Sequence, residues 1–327
     1  MKKFRLLTGV WLGLFGFSCS QSAVAEFETT FGTGANQFTM NFVPIGSPSN
    51  VADTTGSPNP VGSVAYNYSI GKFEVNEDMI TKYNAGFGTA NGLAIIKDTR
   101  GTNRPATSVS WNEATRFTNW LNTSTGGFAA YKFTTSGVND NIALWTPAET
   151  EDYNSANPFR SLRSNYFLPN FNEWYKAAYF DPTTNTYFDY PTGSNTAPTA
   201  VPSGTLPDRA VYNGQSGPAD VNNAGGLSPF GVMGLGGNVW EWEETEADLV
   251  NNSESSIRGI RGGSWFSNSS NLLSSFRGGG FPGDGNDAVG FRVASLSLTA
   301  VPEPSSMLLA VSLGLGGLMY RRRRWRK

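Results

Sequence analysis

The stretch from Gly237 to Arg292 constrains the fold most. It opens with Gly237-Asn238-Val239-Trp240-Glu241-Trp242, passes through Arg261-Gly262-Gly263-Ser264-Trp265 and closes on Val289-Gly290-Phe291-Arg292. Glycines at this density let backbones approach one another, and indoles fill the space between turns, so the span implies a core of loops and short strands. The composition agrees: 38 glycines, 18 prolines and 13% aromatic residues in a chain of 327 describe a loop-rich globular protein long enough to bury a sizeable core.

Two absences limit the chemistry. The chain has no histidine, and its single cysteine, Cys19, lies close to the N-terminus. A Ser-His-Asp triad, an imidazole-bound zinc or a facial-triad iron needs neutral imidazole, and a thiolate nucleophile, a Cys-zinc site or a disulfide needs cysteine beyond the leader. Carboxylate chemistry and oxygen-ligated metals stay open. The formal charge of -2 hides an asymmetry, because nine of the 24 basic residues sit in the two ends, at Lys2, Lys3, Arg5, Arg321 to Arg324, Arg326 and Lys327. The 26 acidic residues, all between Glu26 and Glu303, therefore face 15 basic ones, a formal charge of -11. Such a surface repels nucleic acid and anionic lipid and suits divalent cations or a neutral polymer.

Residues 1–25 combine a basic start, an apolar run from Leu6 to Phe17 and small residues at Ala23-Val24-Ala25, the pattern of a secretory signal peptide cleaved before Glu26. Apolar islands at Phe38 to Val43 and Val61 to Tyr68 read as strands. Asn76 is placed to cap a helix that Gly86 would stop. Ser110-Trp111-Asn112-Glu113 is a capping box, and Trp111, Ala114, Phe117 and Leu121 recur at helical spacing, so a helix follows with those residues inward. Asn170 and Glu173 frame a second box ahead of Trp174, Ala177 and Ala178.

Taken in order, Ile70 to Val75, Ser110-Trp111, Phe167-Leu168-Pro169 to Trp174, Gly237 to Trp242, Arg261 to Trp265 and Gly290-Phe291-Arg292 resemble the blocks of the formylglycine-generating enzyme, or sulfatase-modifying factor, family. The resemblance implies an α+β fold, an irregular variant of the C-type-lectin type, as a single domain over 26–298. Two departures are that the arginine usually heading the block before Trp174 is Phe167 and that the residue after Trp174 is Tyr175 instead of glutamate, so a family salt link is expected to be missing. The tail, residues 299–327, resembles a PEP-CTERM sorting signal: Val301-Pro302-Glu303-Pro304, an apolar run from Met307 to Tyr320, then arginines. Fourteen helical residues rise about 21 Å, short of a roughly 30 Å hydrocarbon core without help from the flanks. The resemblance implies a Gram-negative cell, export through the secretion machinery, membrane contact through the tail helix before processing, and recognition by an exosortase. A plain C-terminal anchor is the alternative.

Catalytic members of that family use two cysteines to bind copper and oxidise a substrate cysteine. Aligned on Gly262-Gly263-Ser264, the first cysteine position is Ser267 and the second falls near Leu272. Serine is too hard a ligand for Cu(I) and cannot cycle through a disulfide, so formylglycine formation is not expected and no residue is assigned a catalytic role. Asp284 and Asp287 could serve a carboxylate-only enzyme or simply build the turn Pro282 to Asp287. Calcium is the one cofactor the resemblance suggests, with Gly237, Val239 and Glu241 as ligands and Gly234 where a further oxygen would be; a salt bridge is the other reading of Glu241. Trp265, Phe266, Ser267, Asn268, Asn271 and Arg277 combine aromatic faces with polar donors, a composition suited to an extracellular polysaccharide or a surface protein. The expected function is thus a non-catalytic envelope or matrix protein. The alternatives are a divergent enzyme of the same superfamily or a coat component.

Overall fold

In a computed structural model of the protein, residues 25–134 and 142–296 are described. The expected leader with Cys19 and the sorting segment from Val301 onward lie outside them. The elements that position the site are, in chain order, β1 (Phe27–Phe31), β2 (Phe38–Ile45), β3 (Tyr68–Gly71), α1 (Glu77–Tyr83), α2 (Trp111–Ser124), β4 (Tyr166–Phe167), α3 (Phe171–Tyr179), β5 (Trp240–Glu246), β6 (Arg258–Arg261), β7 (Gly278–Gly280), β8 (Val289–Gly290) and β9 (Ala294–Ser295). Short two-residue ribbons fill the loops between them.

The first sheet runs β1-β2-β3-β9-β4 and is antiparallel throughout. Ala294 and Ser295 pair with Ile70 and Ser69, so the last described strand is locked beside one of the first. The second sheet runs β7-β6-β5-β8, antiparallel except for the parallel β5–β8 pair. One large core joins the first sheet, α2 and α3 with Trp242 and Val289 of the second and with Phe291 just after it. Trp265 belongs instead to a small satellite cluster with Val211, Ala219 and Val239.

Both capping boxes form. Glu113 accepts from the Ser110 N–H at 2.9 Å while the Ser110 hydroxyl accepts from Glu113 N–H at 3.2 Å, and Trp111, Ala114, Phe117 and Leu121 are fully buried on the face their spacing assigns. In α3, Asn170 accepts from the N–H groups of Asn172 and Glu173, and Trp174, Ala177 and Ala178 are fully buried.

Two expectations are corrected. Val61 to Tyr68 is mainly loop and the strand starts only at Tyr68, because the Asn50 side chain takes the place of a ladder partner: it donates to Gly62 O at 2.8 Å and accepts from Val64 N–H at 3.2 Å. Gly86 does not stop α1. The chain continues through a wide turn, Asn84–Gly88, and turns at Gly92, whose φ of 68° is left-handed. At the Phe167 position the structure shows a different ion pair, made by neither Phe167 nor Tyr175. Arg160 lies over the Phe167 ring at 3.7 Å and donates to both carboxylate oxygens of Glu173 at 2.9 Å. Among the described residues, no helix is long and apolar enough to cross a membrane.

Candidate functional site

Strand β5 sets the electrostatics around the site. Glu241, Glu243, Glu244 and Glu246 are all fully buried, which is tolerable only if each finds donors. Arg292 and the Trp174 indole N–H hold Glu241, Arg261 and Arg277 hold Glu243, and Arg160 holds Glu244. Arg258 stands farther from Glu246, at 3.7 Å, and lies between the Trp111 and Phe159 rings at 4.2 and 4.1 Å. Burial lowers its pKa to about 10, so it stays a cation at neutral pH.

Beside the second sheet is a cleft of about 860 Å³, lined by Trp240, Trp242, Trp265, Phe266, Ser267, Phe281 and the turn to Val289. The glycines of β7 make room for it. A Cβ on Gly280 would stand 2.6 Å from the Trp242 ring, and one on Gly278 would stand 3.0 Å from Ile260, so the strand lies flush on these side chains. On the other wall Gly262 and Gly263 have φ of 92° and 76°, and a Cβ at either would come within 2.8 Å of Leu235 O or the Leu272 side chain. This pair of left-handed residues turns the chain so that Ser264 to Ser267 reach the cleft. Phe266 is 77% exposed and Phe281 58% exposed, two aromatic rims above a floor of indoles.

Of the expected ligand residues, Trp265, Phe266 and Ser267 line the cleft. Trp265 is nearly buried, with the Arg100 guanidinium 4.9 Å from its ring centroid. The Ser267 hydroxyl accepts from Ser264 N–H at 3.0 Å and shares a 3.2 Å bond with the Ser264 hydroxyl. Asn268 turns aside to cap the short helix Ser269–Leu272, accepting from Ser270 N–H, and Asn271 lies within that helix; neither is in the lining. Arg277 is a correction. Its Nε donates to Glu243 at 2.7 Å and its terminal nitrogens donate to the carbonyls of Ala247, Glu246 and Thr245, so this guanidinium is part of the interior. Asp284 and Asp287 line the cleft, at the turn, and Asp287 lies 3.6 Å from Arg100. Trp240, Trp242 and Phe281 were missed. The signal for Phe281 is an exposed aromatic directly after three glycines.

The calcium reading of Glu241 is also corrected. Both its oxygens are engaged, one by Arg292 and the other by Arg292 and Trp174 at 2.6 and 2.7 Å, so a guanidinium stands where a cation would be bound. The residues at Gly237, Val239 and Glu241 therefore do not fit a calcium site, and among the described residues no cluster of three carboxylates or other His/Cys/Asp/Glu groups could hold a metal. Gly234, φ 78°, leaves its side-chain space to Glu74: a Cβ there would meet the Glu74 carboxylate at 2.5 Å. Glu74 accepts from Asn238 at 2.8 Å through one oxygen, and the other has no partner. Burial raises its pKa, with repulsion from Glu241 adding to this and Arg292 opposing it, to about 7.

Residues 35–296 match the family described as sulfatase-modifying factor enzyme 1-like domain, and residues 300–324 match the PEP-CTERM protein-sorting motif. No curated protein matches the chain. Among solved structures, CarF is similar at 18% identity and a TM-score of 0.58, covering 79% of this chain and 98% of its own. Variable protein 1 of Treponema denticola is similar at 19% identity and a TM-score of 0.54, covering 83% of this chain and 99% of its own. At that identity the likeness is one of fold: mixed α+β, of the formylglycine-generating enzyme and C-type-lectin kind. The chain belongs to the sulfatase-modifying factor enzyme 1-like family, and its sorting motif marks it as exported to the cell envelope or surface of a Gram-negative bacterium by an exosortase-dependent route.

Proposed function

We propose that this is a non-catalytic envelope or matrix protein that binds glycan in the cleft beside Ser267. The domain layout behind that reading is a leader at 1–25, the binding domain at 26–298 and a sorting tail at 299–327. The observation that carries it is the cleft's make-up: indole floor, two exposed phenylalanine rims, hydroxyl and carboxylate edges. Apolar rings stack on the C–H faces of sugars while hydroxyls and carboxylates take up their OH groups, the usual mixture in a polar-ligand pocket. The serine at the family's first-cysteine position supports a binding role, since its hydroxyl is bonded to Ser264 and not to a base. A glycan array probed with the purified protein, with and without added calcium, tests the reading. Binding to a defined set of glycans is expected with no calcium requirement; uniform absence of binding would reject it. Formation of an aldehyde on a cysteine-bearing peptide incubated with the protein and copper would instead favour the divergent-enzyme alternative.

A further inference from the structure

The cleft does not end at Phe281. A second trough of about 670 Å³ begins on the far side of that ring, lined by Asn112, Ile142, Glu254 and Ser255. Phe281, Gly283 and Asp284 line both. The phenylalanine therefore stands as a shared wall between two neighbouring troughs, exposed itself and with the next residue anchored, where Pro282 O accepts from Asn112 N–H at the start of α2 at 3.0 Å.

The charge of the lining has one sign. Asp284 and Asp287 stand in the first trough and Glu254 in the second, and among the described residues no lysine or arginine lines either. Arg277 is spent on Glu243, and Arg100, which lies over the Trp265 ring, is spent on Asp98 and Asp287. A polyanion entering these troughs would lose hydration and gain no counter-charge. Resting on the glycan reading above, we infer that the occupant is a linear, non-acidic polysaccharide, neutral or bearing free amines, that crosses Phe281 with sugar units in both troughs. A ligand confined to the first trough would leave Phe281 half-used. A chain that spans the wall gains contacts on both faces of the ring in one binding event.

The test uses the purified protein and oligosaccharide ladders, from disaccharide to hexasaccharide, of a neutral glucan, a chitosan and an alginate, with titration calorimetry as readout. Affinity for the neutral or amino-bearing ladder is expected to rise on the order of tenfold or more with length, with alginate weakest at every length. Phe281→Ala, which removes an exposed ring and should leave the thermal midpoint unchanged, is expected to erase the gain with length, so that hexasaccharide and disaccharide bind the variant with like affinity. Length-independent binding overturns the spanning chain and leaves the glycan reading standing, and so does tightest binding to alginate. If no ladder binds at any length, the spanning chain falls together with the glycan reading.

Discussion

Along β5 the carboxylates of Glu241, Glu243 and Glu244 lie fully buried, each against a guanidinium, whereas on the rim of the cleft Asp284 and Asp287 stand in solvent with only a 3.6 Å approach from Arg100. Both regions are acidic, and the difference between them is where the arginines went. A buried carboxylate without a donor costs several kcal/mol, an exposed one almost nothing, so packing draws Arg160, Arg261, Arg277 and Arg292 inward. The acidity left at the rim is the part a ligand can meet.

The sharpest break of that comparison is Arg292→Ala. It leaves Glu241 buried with only Trp174 as donor and frees Met233 O and Gly71 O as well, so a loss of about 3–5 kcal/mol is expected in urea unfolding. If the variant instead kept its stability, the interior pairs would not be what separates the two regions.

Glu74 sharpens the comparison from within, as an interior carboxylate with one oxygen left unbonded, a state it shares with Glu246 among the described residues. Its folded-state pKa of about 7 lies above the ordinary 4.5, so the protonated form is favoured on folding. The stability this gives is complete below about pH 4.5 and is lost as the pH rises through 7, up to roughly 3 kcal/mol in all. Glu74→Gln, which keeps an acceptor for Asn238, should match the parent protein near pH 4.5 and exceed it at pH 8. Thermal midpoints across that range decide it, and parallel curves would show that Glu74 is ionised throughout.

How much of this was legible beforehand follows the range of the interactions. Ser110 with Glu113 and Asn170 with Glu173 are contacts within one helical turn, and the helices begin where those pairs place them. The family blocks led to the fold because each block's aromatic or glycine has a packing duty nearby. What the sequence hid lies between distant segments. Arg160 reaches Glu173 and Glu244 only because a loop brings its guanidinium over the Phe167 ring. Arg277 was grouped with Trp265 and Ser267 by proximity in sequence, yet antiparallel pairing of β6 with β7 directs it onto Glu243. Phe281 belongs to the site because the glycines before it bring the chain down onto Trp242, a three-dimensional fact that the residue types only hint at.

Arg277→Ala tests that assignment directly. Three carbonyls and one oxygen of Glu243 lose a charged donor, while Arg261 still holds the other oxygen, so a loss of about 1.5–3 kcal/mol is expected, smaller than for Arg292. Ligand affinity of the folded fraction should not change. A variant of full stability and lost binding would move Arg277 back to the rim.

The smallest effect on stability is expected at the rim itself. Phe266 is 77% exposed, and its removal opens no cavity, so Phe266→Ala should hold unfolding free energy within about 0.5 kcal/mol of the parent. The same ring borders the first trough, and losing it should weaken binding of even a disaccharide by on the order of tenfold, through lost stacking area. Calorimetry and urea unfolding on one preparation separate the two. If binding survives and stability falls, Phe266 is a packing residue, the apolar rim carries no ligand, and the acidic turn facing it is ordinary solvated surface.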